Sequence, residues 1–343
     1  FIFFGSLASL MKKNTKDTKV DYSSGFTTWI NSLVVRFKNI IFVACKLGVN
    51  SLRLTGGEPL LSTQLEKLLY EIKLLRKIKS NPISNLQDVA LTTNGFLLSK
   101  KKADSLFKNG LDRITISLDA IDPDIFSKMI GENNKIIGRE KLYKVLEGID
   151  NSIDAGFSPK NGKLKINTVI KKDINDNQIF ELVNFARERS IEIRFIEYMD
   201  VGSANNWKSS EVFFSERIIN SLKEKYHLSN LGRYKGYTAN RWFMGDSESY
   251  VSTVSSISNP FCSDCNRLRI TSDGYAYTCL FSSEGKNLNQ WLAEPINILE
   301  LEKEIKKIWR SRDDKYSENR IKILQKDSKK YPKNHPSMAY LGG

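Results

Sequence analysis

With 343 residues, 40% of them hydrophobic, the chain is long enough for one large barrel or two ordinary domains with cores of their own. No apolar run reaches the length of a membrane span, and the opening Phe1-Ile2-Phe3-Phe4 is short with no basic residues ahead of it, which argues against a signal peptide. Fifty-three Lys and Arg against 39 Asp and Glu leave +14, which favours an anionic partner, although runs such as Lys100-Lys101-Lys102 and Lys329-Lys330 are also what solvated helix faces carry.

Residues 1–36 show no clear periodicity and carry no motif; the chain opens on Phe1, with Met11 the first methionine, so a fragment or a misread beginning is expected. From Phe37 a helical pattern runs to Leu47 and ends at Gly48. Short strands then alternate with longer helical stretches: Ser51–Leu54, Val89–Thr93, Ile114–Leu118, Leu164–Ile170 and Glu192–Tyr198. Such alternation predicts parallel βα units with polar ligands at the carboxyl ends of the strands. Beyond about residue 212 it stops. A helix is expected over about 211–225, then an irregular Tyr- and Ser-rich region, a cysteine hairpin, an amphipathic helix over 296–309 and a lysine-rich tail ending in Gly342-Gly343. The division read from this is 1–36 unassigned, 37–211 a partial barrel and 212–343 a second domain.

Several strand ends carry residues suited to a polar ligand. In Thr55-Gly56-Gly57-Glu58-Pro59 two glycines after a strand let backbone approach a ligand closely, and Glu58 adds an acceptor for a cation. The same turn is also an ordinary tight βα connection. Arg53 lies in the preceding strand, where a buried cation wants an anion or a strand-end acid. Period two places Thr115, Ser117 and Asp119 on one face of their strand. Thr92-Thr93-Asn94-Gly95, Lys165 and Glu197-Tyr198-Met199 fit the same mouth: a lysine can hold phosphate, and a methionine can pack on a purine or simply in a core.

Three of the four cysteines, Cys262, Cys265 and Cys279, fall in one window with C-x2-C-x13-C spacing and a hairpin signal, Asp273-Gly274, before the third. So few cysteines, so grouped, predict a reducing compartment, the cytoplasm or an organelle, and metal chemistry rather than disulfides. Three thiolates suit either a four-iron cluster with one open iron or a zinc site lacking a nearby fourth ligand, since His227 and His335 are distant in sequence.

Taken together, Leu52-Arg53-Leu54-Thr55-Gly56-Gly57-Glu58-Pro59, Thr92-Thr93-Asn94-Gly95, Ser117-Leu118-Asp119-Ala120, Phe195-Ile196-Glu197-Tyr198-Met199 and Phe261-Cys262-Ser263-Asp264-Cys265-Asn266-Arg267-Leu268-Arg269 resemble GTP 3′,8-cyclase, the radical S-adenosylmethionine family that opens molybdenum-cofactor biosynthesis. The resemblance runs from about Phe37 to Gly343. It implies an α/β fold, an incomplete (β/α)6 TIM-like barrel of the radical S-adenosylmethionine type with a C-terminal cluster-binding domain. It implies a lyase that turns GTP into (8S)-3′,8-cyclo-7,8-dihydroguanosine 5′-triphosphate by way of a 5′-deoxyadenosyl radical.

Carried over by position, Gly57, Ser117 and Met199 would contact S-adenosylmethionine; Arg53, Thr93, Lys165, Arg267, Leu268 and Arg269 would contact GTP. Cys262, Cys265 and Cys279 would hold a [4Fe-4S] cluster whose open iron meets the guanine, and the Gly342-Gly343 tail would reach the site. The implied partners are GTP and an electron donor, with a homodimer compatible, and no nucleic acid or membrane. The family also carries C-x3-C-x2-C near the start of its barrel for a second [4Fe-4S] cluster. Here the one cysteine before Cys262 is Cys45, in a predicted helix, and the strand expected with that motif is missing too. A chain without those ligands is read either as a cyclase whose beginning has been misread or as a non-catalytic protein that keeps GTP and the C-terminal cluster; a basic zinc module for nucleic acid is the third reading.

Overall fold

The computed structural model describes residues 2–4, 25–201, 207–245, 249–320 and 336–341. Its strands are β1 (Ile2–Phe4), β2 (Ser51–Leu54), β3 (Asp88–Thr93), β4 (Arg113–Ser117), β5 (Leu164–Ile170), β6 (Glu192–Glu197), β7 (Leu228–Gly232), β8 (Asn240–Met244), β9 (Ser249–Val254), β10 (Leu268–Ile270), β11 (Tyr275–Tyr277) and β12 (Lys286–Asn287). All twelve join one sheet in the order β12-β11-β10-β1-β2-β3-β4-β5-β6-β9-β8-β7. From β10 through β9 every neighbouring pair is parallel. β8 and β7 continue one edge antiparallel, and β11 and β12 the other.

The parallel run forms because each strand between β2 and β6 is followed by a helix that crosses back over one face. The outward strand residues are apolar: Leu52, Leu54, Val89, Leu91, Ile114, Ile116, Leu164, Ile166, Ile193 and Phe195 are all buried. They pack with the helices 65–75, 100–108, 135–154 and 179–188 into one core. The alternate residues, Ser51, Arg53, Asp88, Arg113, Lys165 and Arg194, point the other way and line a bore.

The five strands read from the alternation match to within a residue at each end, and the helix expected over 296–309 spans Ile298–Arg310. Three expectations need correction. The first 36 residues are not featureless: a helix runs from Gly25 to Lys46, well before Phe37, and Ile2–Phe4 forms a parallel strand. That strand pairs with Leu52–Leu54 on one side and Leu268–Ile270 on the other, so the place of the missing first strand is filled. The region after residue 225 contains three strands, because β7–β9 form an antiparallel meander whose edge strand β7 is mostly exposed and polar and so shows little alternation. The helix expected over 211–225 is shorter, Ser215–Lys223, behind a single helical turn at Ser209–Glu211.

The sheet is continuous across residue 211, with β9 extending the parallel run next to β6. Among the described residues no helix is long and apolar enough to cross a membrane.

Candidate active site in the bore

A cavity of about 830 Å³ fills the bore. Its lining includes Arg53, Arg113, Lys165, Arg194, Arg241 and Arg267, with Asp88 and Tyr237 at its edge. Ser51, Asp88 and Arg113 are the first residues of β2, β3 and β4, so the cavity opens toward the amino ends of the strands. The sequence alone predicted the opposite end.

With Lys160 the lining carries seven cations, which repel one another, and the protein manages this with two carboxylates. Asp88 takes a forked bond from Arg113 at 2.5 and 2.6 Å and one from the Ser51 hydroxyl at 2.9 Å. Burial alone would raise the Asp88 carboxyl; Arg113 outweighs it and holds the group below the usual carboxylate range. Glu192, at the start of β6, takes Lys165 at 2.8 Å, Arg241 at 2.9 Å and the Ser252 hydroxyl at 2.8 Å. Burial would lift it as well, but Lys165 and Arg194 keep it down at about 2.

The cations show the opposite strain. Burial, reinforced by Arg113 and Arg194, lowers Arg53 to about 9, and burial lowers Lys165 to about 8 against the pull of Glu192. Buried polar atoms on this face, Arg194 Nε, Arg241 Nε, Thr92 Oγ1 and Asn167 Oδ1, find no partner in the protein. Buried polar groups are ordinarily satisfied, so such a set marks a place shaped for a polar ligand.

Asn266 and Arg267, from the cysteine window, line one side of the cavity. Cys262–Asp264 is a single 3-10 turn closed by the Cys265 amide donating to the Cys262 carbonyl at 3.2 Å. β10 then turns back through Gly274, whose φ of +86° suits glycine, into β11, and Cys279 follows that strand. Arg267 donates to Cys265 Sγ from Nε at 3.3 Å and from its terminal nitrogen at 3.0 Å. Burial would raise the Cys265 thiol, but Arg267 lowers it below the usual range; burial raises Cys279. Arg269, 5% exposed, is lowered to about 10 first by burial and then by Arg267, and it feels both Cys265 and Cys279. Cys279 in turn feels Cys262, so the three sulfurs share one neighbourhood.

Among the described residues no three His, Cys, Asp or Glu side chains converge tightly enough to grip a single metal ion. Arg267 and Arg269 beside the sulfurs make the neighbourhood electropositive, which suits a group held by thiolates.

The carboxyl end is built differently. Glu58 accepts from the Leu60 amide at 3.0 Å, the Thr93 hydroxyl at 2.7 Å and the Asn94 amide at 2.8 Å. It is therefore a buried tie between two loops rather than an open acceptor for a cation, and Thr93 spends its hydroxyl on that tie, away from the cavity. Ser117 closes β4, and Met199 follows β6, half-buried. Asp119, pushed up to about 6 by burial, accepts from the Val169 amide at 2.8 Å. Gly57 is exposed after Gly56, whose φ is +140°.

Of the candidate GTP contacts, Arg53, Lys165 and Arg267 line the cavity and Arg269 lies behind Arg267, while Leu268 is a buried strand residue and Thr93 sits apart. Gly57, Ser117 and Met199 gather at the opposite end of the strands and do not line it. The Gly342-Gly343 tail lies outside the described residues; Tyr340, just before it, donates to Asp273 of the cysteine hairpin at 2.8 Å. Sequence reading missed Arg113, Arg194, Arg241, Asp88 and Glu192. Polar and charged residues at period two in Arg113-x-Thr115 and Glu192-x-Arg194 carried that signal, since alternation within a strand marks a face.

Two family models match, Radical SAM superfamily over residues 33–186 and Molybdenum Cofactor Synthesis C over residues 191–318. The chain is 46% identical over 305 residues to the GTP 3′,8-cyclase of Synechococcus sp. (strain CC9605), covering 89% of this chain and 85% of that one. It is 37% identical over 303 residues to the GTP 3′,8-cyclase of Staphylococcus epidermidis (strain ATCC 35984), covering 88% and 82%. Among solved structures, Streptococcus suis SuiB bound to precursor peptide SuiA superposes with a TM-score of 0.52 at 16% identity, over 86% of this chain and 65% of that one, a likeness of fold alone. The chain belongs to the GTP 3′,8-cyclase family, whose two domains, radical S-adenosylmethionine and molybdenum-cofactor synthesis, it carries in order along one continuous sheet.

Proposed function

We propose that this chain binds GTP with its triphosphate in the bore, against Arg53, Lys165 and Arg267 joined by Arg113, Arg194 and Arg241, and its base toward the cysteine hairpin. The observation that carries the reading is the cavity itself: about 830 Å³ lined by seven cations, with Asn266 and Arg267, which directly follow Cys265 in the chain, on one side of it. A triphosphate brings roughly four negative charges, and guanidinium forks offset them through charge-assisted bonds.

Cys262, Cys265 and Cys279 are the residues that would hold a [4Fe-4S] cluster, with residues 212–343 acting as the unit that carries it. When bound, such a cluster with three protein thiolates offers an open iron to a nitrogen or oxygen of the purine. The chain's own part is to lower the Cys265 thiol through Arg267, and to clamp the turn through Arg312, which donates to the Cys265 carbonyl, and Glu318, which accepts from the Ser263 amide at 2.9 Å. Gly57, Ser117 and Met199, gathered beyond the carboxyl ends of the strands in residues 37–211, are the proposed contacts for S-adenosylmethionine.

The residues do not fit the second cluster that would cleave S-adenosylmethionine. Cys45 is the one cysteine ahead of Cys262, it is 2% exposed in the helix core, and burial pushes its thiol up to about 11. No step is therefore derived through that cluster. The curated relatives are named GTP 3′,8-cyclases, and the part proposed for these residues in that reaction is to bind the nucleotide and the C-terminal cluster.

The test is anaerobic reconstitution followed by iron analysis and GTP binding. We expect about four irons per chain and GTP affinity that falls when Cys262, Cys265 and Cys279 are replaced by Ala. About eight irons would overturn the single-cluster reading. Protein without iron or GTP affinity would overturn both.

A further inference from the structure

Glu192 is an anion paired with cations that line the cavity, Lys165 and Arg241. It opens β6, is 2% exposed, and four strands supply its neighbours. From β5 comes Lys165 at 2.8 Å, from β8 Arg241 at 2.9 Å, from β9 the Ser252 hydroxyl at 2.8 Å, and from β6 itself Arg194 at 3.6 Å. Arg113 on β4 feels it from farther off.

On a surface that receives phosphate, a carboxylate carries two costs: its own desolvation and its repulsion of the ligand. An amide of the same shape would carry neither. The compensation lies in Lys165. Burial and the like charges of Arg194 and Arg113 all push its ammonium toward the neutral amine, and Glu192 is the group that opposes them. A neutral lysine cannot serve as a point charge for phosphate.

We propose that Glu192 is a positioning residue that keeps Lys165 protonated and aims Lys165 and Arg241 into the bore to meet the phosphates of a nucleoside triphosphate. The inference rests on the reading of the cavity as a triphosphate site. The arriving phosphates take over as counter-ions to the two cations, which Glu192 has held charged and in place in the meantime. The same carboxylate disfavours ligands with too little negative charge to compete with it, and so selects polyphosphates over monophosphates.

The test pairs two measurements on wild type, E192Q and E192D. In substrate-free protein, the pH dependence of Lys165 acylation by acetic anhydride, followed by peptide mass spectrometry, reads the lysine's protonation without any ligand. Its midpoint is expected to fall by about one unit or more in E192Q and by about half as much in E192D, one unit being a tenfold change in the protonated fraction. Calorimetry with inorganic tripolyphosphate should then show E192Q about tenfold weaker than wild type at pH 8 and within about twofold at pH 6. A merely structural role would weaken binding alike at both pH values.

An unmoved acylation midpoint, an equal loss at both pH values, or tighter binding by E192Q would overturn the role of Glu192. If E192Q does not fold, the E192D midpoint decides: lower than wild type supports the role, unchanged overturns it. Wild type that binds no tripolyphosphate would overturn the cavity reading and the substrate half of this inference, a result distinct from an unmoved midpoint in wild type that binds.

Discussion

The two ends of the bore use the same kinds of polar residue in opposite ways. Toward the amino end, charged side chains face an open cavity and leave donors such as Arg194 Nε and Arg241 Nε without protein partners. Toward the carboxyl end the acids are spent inside the protein. Glu58 ties the Gly56-Gly57 turn to Thr93 and Asn94, Asp119 ties β4 to β5, and Glu197, fully buried, gathers the Ser215, Ile257 and Ser258 amides and the Ser258 hydroxyl. One end turns its cations toward a cavity, while the other spends its acids on backbone amides. A cationic pocket needs that rigid counterpart, because repelling cations stay in place only on strands that cannot move.

The contrast breaks first at Glu197. Replacing it with Ala strands the buried Ser215 amide and the part-buried amides of Ile257 and Ser258, and the expected loss is about 3 kcal/mol of unfolding free energy, measured by urea denaturation. A loss below about 1 kcal/mol would mean that these bonds do not hold the carboxyl end.

Next is Arg53→Ala at the amino end. It should weaken GTP and tripolyphosphate by about 30- to 100-fold in calorimetry, the worth of one charge-assisted fork, while unfolding free energy changes little or rises, since a buried cation is removed. Unchanged affinity would place the phosphates elsewhere.

Asp119 gives a pH signature from the carboxyl end. Its folded pKa, about 6, lies above the unfolded value of 3.8, so the stability it contributes is fully present below about pH 4 and is lost as pH rises through about 6. The difference in unfolding free energy between wild type and Asp119→Asn should therefore drift by about 2 kcal/mol between pH 4 and 7, to the disadvantage of wild type. A flat difference would show that Asp119 does not titrate in that window.

The smallest effect sharpens the comparison most. Thr93→Val should cost about 1 kcal/mol of stability through the lost bond to Glu58 and leave tripolyphosphate affinity within about twofold. A tenfold loss of affinity would return Thr93 to the phosphate site that the resemblance implied for it.

Much of this was legible beforehand. Alternation between β2 and β6 survives in the sequence because a parallel strand buried on its outer face carries a clean apolar row, as in Ile114 and Ile116 or Leu164 and Ile166. The cysteine hairpin was legible because spacing and a turn signal are local. β7–β9 were not, since an exposed edge strand needs no apolar row, and the helix before Phe37 was not, since half of its length showed no periodic stripe.

By itself the sequence determined the family, the strand faces and the three-cysteine hairpin, each written within a few dozen residues. Only the tertiary structure decided that the cations collect at the amino end of the bore, that Glu58 and Thr93 satisfy each other, and that one carboxylate, Glu192, answers for cations from β5, β6 and β8. The physical reason is range. Side-chain direction follows from a period of two along one strand, but whether a buried charge finds a counter-ion or awaits a ligand depends on residues far away in the chain, brought to it by strand order and register.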